Sequence, residues 1–159
     1  MTSAVCEYCG CQSLQVIADL TAEHDRLRDL GRQLTDAVAA DDRQAAGLYA
    51  GLMVDVLTPH TAVEEDGLFP AMASDFPEQI ADLADDHRRI DADLRRIADG
   101  LAPNWASLAE ATVAELFEHI LKEQDGVFPA ALAVLDTEQW EAVETVRARV
   151  GARMPQPST

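Results

Sequence analysis

Apolar residues in this chain recur at steps of three and four rather than two, the spacing of one face of an α-helix. Leu20, His24, Leu27, Gly31, Leu34 and Val38 form the first such stripe. With Thr21 as its N-cap, it predicts a helix over about 21–40. After Asp41 and Asp42, the residues Tyr49, Met53, Val56, His60, Val63 or Glu64, and Gly67 continue the spacing. They predict a second helix, kinked where Pro59 removes a backbone donor and crowds the carbonyl one turn earlier. The third helix begins near Asp75 and Pro77 and carries Ile80, Leu83, His87, Ile90, Leu94, Ile97 and Leu101 on one side. Gly100 and Pro103 are its stop signals. The fourth starts after Asn104, aligns Leu108, Thr112, Leu116, His119 and Glu123, and ends near Pro129 or a little beyond. A fifth runs over about 138–150, capped by Asp136 or Thr137 and closed by Gly151.

Short connections make successive helices antiparallel. The expected architecture is therefore all-α, an up-down four-helix bundle over 14–135 with an additional C-terminal helix over 136–151. A cysteine-containing N-terminal arm over 1–13 precedes the bundle, and a polar, Pro-rich tail over 152–159 is expected to be disordered. Composition agrees: apolar residues make up 48% but aromatics only 5%, in a chain rich in Ala, Leu, Asp, Glu and Arg, which favours helix over sheet. At 159 residues the chain is long enough for one domain with a proper core.

Charge narrows the partners. With 29 acidic against 12 basic side chains, the formal net charge is −17, so nucleic acid and anionic membrane surfaces would be repelled. The first twenty residues lack a basic leader, and the apolar run from Leu14 to Leu20 is interrupted by Gln15 and Asp19. No signal peptide or membrane span is expected. The three cysteines, Cys6, Cys9 and Cys11, are clustered, odd in number and without partners elsewhere, a usage that suits the cytoplasm. They are too few for a closed four-ligand site. They form either a flexible arm with free thiols, or a redox pair or surface that handles iron.

An internal repeat carries more information than any single helix. Residues 60–71, His-Thr-Ala-Val-Glu-Glu-Asp-Gly-Leu-Phe-Pro-Ala, and 119–130, His-Ile-Leu-Lys-Glu-Gln-Asp-Gly-Val-Phe-Pro-Ala, share seven identities in twelve. Upstream of each copy lies another helix with one histidine, in Ala-Glu-His-Asp-Arg-Leu and Asp-Asp-His-Arg-Arg-Ile. His60 and Glu64 are four apart, as are His119 and Glu123, so each pair projects from one helical face. A single histidine on a core stripe is most often a hydrogen-bonded core residue. Here all four histidines lie on inward stripes and the whole set is duplicated in matching order, which points to a shared metal.

Nitrogen and carboxylate ligands without thiolates suit iron, manganese or zinc, and facing helices of a bundle can hold paired ions. The set His24, His60 with Glu64, His87, and His119 with Glu123, followed by Gly-Leu-Phe-Pro and Gly-Val-Phe-Pro, resembles the hemerythrin-like (HHE cation-binding) family in its bacterial variety. The resemblance covers roughly Leu14 to Val134. It implies that these six residues ligate two iron ions with a bridging oxo or hydroxo group, the glutamates bridging and the histidines dividing between the metals. Phe69, Phe128, Met53, Leu57 and Leu116 would wall the pocket while packing the core. Asp66 and Asp125 are either acceptors for ligand imidazoles or solvated helix-end residues.

The oxygen-carrying members use a further histidine one turn after the third helix's ligand, where this chain has Asp91. Asp91 is either a weak ligand or a solvent-facing neighbour of Arg88. Without that ligand each iron would have about five donors and roughly one open position. The resemblance then implies a cytoplasmic protein that binds or reduces oxygen, hydrogen peroxide or nitric oxide, in stress defence or oxygen sensing, with an unidentified electron donor. The alternatives are an iron donor or iron-centre repair protein using the cysteines, and a metal-free interaction bundle. No catalytic residue beyond the metal ligands is expected.

Overall fold

The computed structural model describes residues 10–151, with side chains from Ser13 onward. Cys6, Cys9, the Cys11 side chain and the tail 152–159 lie outside the described residues. Seven α-helical segments follow in order: α1 (Gly10–Ala39), α2 (Arg43–Val63), α3 (Phe69–Met72), α4 (Pro77–Ala98), α5 (Trp105–Lys122), α6 (Phe128–Val134) and α7 (Thr137–Val150). Two π-helical turns, Glu64–Leu68 and Glu123–Val127, join α2 to α3 and α5 to α6 without a break. The described residues therefore form five helical rods, with no strand among them. Helices α1, α2, α4 and α5 close a four-membered bundle, each packed on the next, and α7 lies outside it against α1, α2 and the turn Glu64–Leu68. No helix among the described residues is long and apolar enough to cross a membrane.

The punctuation follows side-chain chemistry. The Asp42 carboxylate caps α2 by accepting from the Ala45 amide at 3.0 Å. Asp136 and Gln139 form a reciprocal capping box at the start of α7. Gly100 (φ 68°) and Gly151 (φ 65°) close α4 and α7 in the left-handed region that a side chain would resist.

One expectation changes. The first helix begins at Gly10 rather than at Thr21, because buried Val16 and Ser13 extend the stripe two turns upstream of Leu20. Thr21 is therefore an interior helical residue, and α1 runs across the expected boundary between arm and bundle at 13/14. Pro59, the residue expected to kink the second helix, lies inside α2. Helix α2 passes through it unbroken. The carbonyl that Pro59 leaves without a donor belongs to Asp55, an exposed position that water can serve.

The α hydrogen-bond pattern changes at Glu64–Leu68 and Glu123–Val127, where the amides of Phe69 and Phe128 bond the carbonyls of Glu64 and Glu123, five residues back. Each is followed by a proline, Pro70 or Pro129, that has no amide to donate and whose ring crowds the carbonyl four residues earlier. Opening the turn by one residue relieves that clash. Such π turns concentrate at functional sites.

The buried apolar side chains fall into two clusters. One holds Leu27, Leu30, Leu34, Met53, Leu57, Ile90, Leu94, Leu116 and Ile120. The other holds Val16, Leu20, Val63, Leu68, Phe69, Leu83, Val127, Phe128, Trp140 and Val143. Along every bundle rod the histidines and glutamates lie at the boundary between the two, so a polar layer crosses the core.

Candidate metal centre

All six residues singled out by the repeat are buried and meet in that layer. His24 Nε2 lies 3.1 Å from His60 Nε2 and 3.3 Å from Glu123 Oε1. Glu64 presents one oxygen to each half, with Oε1 3.1 Å from His60 Nε2 and Oε2 3.1 Å from His87 Nε2. His119 Nε2 is 2.9 Å from Glu123 Oε1. Two groups result, His24, His60, Glu64 and Glu123, and His87, His119, Glu64 and Glu123, each with ligand atoms close enough to hold one metal ion. They share both glutamates.

The donor atoms fit a cation better than they fit one another. Both carboxylate oxygens of Glu64 and of Glu123, and Nε2 of His87 and His119, are buried without a hydrogen bond, although oppositely charged neighbours lie near 3 Å. Proximity without hydrogen-bond geometry means that the lone pairs converge on points between the groups. Ligand bonds of about 2.0–2.2 Å set at right angles place neighbouring donors about 3 Å apart, the spacing seen here. Orphaned buried carboxylates are otherwise costly.

Aromatic rings cross between the halves of the repeat. Phe69 stacks on His87 with centroids 5.6 Å apart and planes 8° from parallel, and Phe128 stacks on His24 at 5.5 Å and 6°.

The profile of the hemerythrin HHE cation binding domain matches residues 15–131, most of the chain and every residue of this layer. The chain belongs to the hemerythrin HHE cation-binding family. No curated protein and no solved structure gives a significant match. As a member of that family it is a metal-binding helical bundle.

Around the hemerythrin-type core lies a second ring of carboxylates that the sequence reading missed. His60 Nδ1 donates to Glu23 Oε2 at 2.7 Å, His87 Nδ1 to Glu65 Oε1 at 2.8 Å, and His119 Nδ1 to Asp86 Oδ2 at 3.2 Å. A carboxylate accepts only, so the proton sits on Nδ1 and Nε2 is turned toward the shared layer. Glu23 also accepts from Arg147, and Asp86 from Lys122 Nζ at 3.1 Å. A signal for two of these was present, because Glu23 and Asp86 each immediately precede the first histidine of their half. Asp66 pairs instead with Arg149 at the surface, and Asp91 with Arg95 Nε at 2.8 Å; neither belongs to the metal-holding groups.

The carboxylates dominate the electrostatics of this hemerythrin-type layer. Burial alone would pull the His60 imidazolium down, but Glu64 and Glu23 outweigh it and raise its pKa to about 10. The same opposition, with Glu64 and Glu65, raises His87 to about 10, and Glu123 raises His119. Burial pushes Glu64 up, yet His60 and His87 hold it well below the usual carboxylate range. Burial likewise opposes ionisation of Asp86, and its bonds from His119 and Lys122 prevail, lowering its pKa. In the metal-free protein the layer thus attracts protons, and a metal ion would take their place.

Proposed function

We propose that this protein holds two iron ions, one in each four-residue group, and uses them to bind or reduce a small oxidant such as oxygen, hydrogen peroxide or nitric oxide. One observation carries the reading: two buried donor sets share Glu64 and Glu123, whose oxygens have no hydrogen-bond partner. The imidazole and carboxylate donor set suits iron, and two shared carboxylates favour a coupled pair over independent ions. A pair of bound irons would supply the redox chemistry that none of the amino-acid side chains in this layer provides.

The residues divide the remaining work. His24, His60, His87 and His119 would hold the ions through Nε2, while Glu23, Glu65 and Asp86 hold three of those rings at Nδ1. Phe69 and Phe128 keep the layer dry and fix the planes of His87 and His24. With Asp91 engaged by Arg95, each group offers two histidines and two shared glutamates, short of the six donors iron commonly takes, which favours reaction with a small ligand over saturation. A metal-free interaction bundle accounts poorly for buried carboxylates whose oxygens accept no hydrogen bond.

Protein produced with iron should contain about two ions per chain and show the near-ultraviolet absorption of a coupled ferric pair. Stopped-flow mixing of the reduced protein with oxygen, peroxide and nitric oxide in turn identifies the oxidant as the fastest reaction. A folded protein that takes up no iron would end this reading.

A further inference from the structure

The repeat is symmetric in sequence but not in its surroundings. At Gly67 an added Cβ would lie 3.1 Å from Val143 Cα, so α7 rests directly on the turn that starts at Glu64. At Gly126, its counterpart, nothing lies within 4 Å, and the turn borders an open apolar cavity of about 580 Å³ lined by Val127, Leu121, Leu83, Ile80 and Phe76. From α7, Arg147 reaches inward and is only 1% exposed. Its guanidinium donates to Oε1 of Glu23, whose Oε2 accepts from His60 Nδ1. The corresponding acceptor in the second half, Asp86, is served instead by Lys122 and Arg89, whose side chains are 49% and 57% exposed.

We propose that Arg147 is a positioning residue that acts through Glu23 to fix the ring of His60, so that α7 holds the His24–His60 position rigid and leaves the His87–His119 position as the one that exchanges. A buried carboxylate bonded on both oxygens by charge-assisted donors has one orientation, and the imidazole bonded to it inherits that orientation. Placing an arginine in the interior carries a desolvation cost that an apolar residue would avoid, so its position here is better explained by what it orders than by stability alone. On the opposite side the acceptor's cations are surface side chains, free to rearrange in water. The positioning stands on geometry; the difference in exchange rests on the di-iron reading above.

Two measurements on the full chain separate the parts. In metal-free, 15N-labelled protein, Arg147→Met should speed exchange of the His60 Nδ1–H with water by at least about tenfold and leave that of His119 unchanged, with Arg147→Lys recovering much of the protection. Should Arg147→Met fail to fold, Glu23→Gln combined with Arg147→Met removes both buried charges, and its His60 proton should still exchange faster than in the wild type. A His60 proton unaffected by these changes overturns the proposal whether or not metal binds. In the iron-loaded protein, release to excess chelator should be biphasic. Arg147→Met should accelerate the slow phase about 10- to 100-fold, while Asp86→Asn alters only the fast one. A single phase in the wild type overturns the inequality of the two positions. A wild type that takes up no iron refutes the di-iron reading and the exchange it implies, leaving the proton measurement to decide the role of Arg147.

Discussion

Phe69 stacks on His87 rather than on His60, the histidine of its own repeat, and Phe128 does the same to His24. The π turns set this crossing. One added residue rotates the chain after Glu64 and Glu123, so that the phenylalanine of the Gly-x-Phe-Pro motif faces the opposite half.

Truncating these rings should therefore cost both packing and order in the partner half. Phe69→Ala or Phe128→Ala is expected to lower stability by about 3–5 kcal/mol in urea unfolding of the metal-free protein. Losses below about 1 kcal/mol would show that the rings contribute little to the core.

Glu64 and Glu123 distinguish a paired centre from two independent ones, because each belongs to both donor groups. Glu64→Ala or Glu123→Ala should remove both ions together and abolish the spectrum of a coupled pair. His24→Ala or His87→Ala should weaken mainly one ion. If the glutamates did not touch metal, either substitution would leave iron content and spectrum as in the wild type.

Stability of the metal-free protein should fall toward alkaline pH. His60 and His87 have folded pKa values raised from 6.5 to about 10, so their contribution is complete below pH 6.5 and disappears as pH rises to about 10. Glu64 is shifted the other way, so its contribution is present above its ordinary 4.5 and is lost at lower pH. Iron binding, on the di-iron proposal, should run opposite to the histidine effect and strengthen as pH rises, because ligand imidazoles must shed a proton. Urea midpoints with and without iron across this range give the two slopes, and equal slopes would contradict the assignment.

The paired glycines offer a test of the uneven packing. Gly67→Ala pushes against the backbone of Val143 and should loosen α7, costing about 1–3 kcal/mol. Gly126→Ala meets open space and should be neutral or stabilise by up to about 1 kcal/mol through the better helix former. Thermal denaturation of the two variants should shift in opposite directions, or only for Gly67→Ala.

The bundle and the six inward residues were legible because helical periodicity and a duplicated His-x-x-x-Glu pattern both survive in one sequence. The start of α1 was not, because Thr21 is a good cap in isolation, and only burial of Ser13 and Val16 shows that the stripe continues upstream. Glu23, Glu65 and Asp86 escaped notice for a related reason. Each is the immediate neighbour of a ligand candidate, about 100° around the helix, where a charged residue reads as solvent-facing; adjacent helices bury Glu23 and Asp86, while Glu65 stays exposed and still reaches His87. Arg147 was hidden further still, since its partner is more than a hundred residues away.

The crossed donor sets bear on ancestry and on assembly. Each half is a hairpin of two helical rods, yet Glu64 faces His87 and Glu123 faces His24, so a lone hairpin has at most part of either group. A hairpin ancestor would complete such a centre only beside a second copy, whether as a separate chain or duplicated in the same one. During folding the same geometry forbids capture of a complete ion pair until the hairpins dock, which would make metal uptake a latch on the finished bundle rather than a nucleus for it.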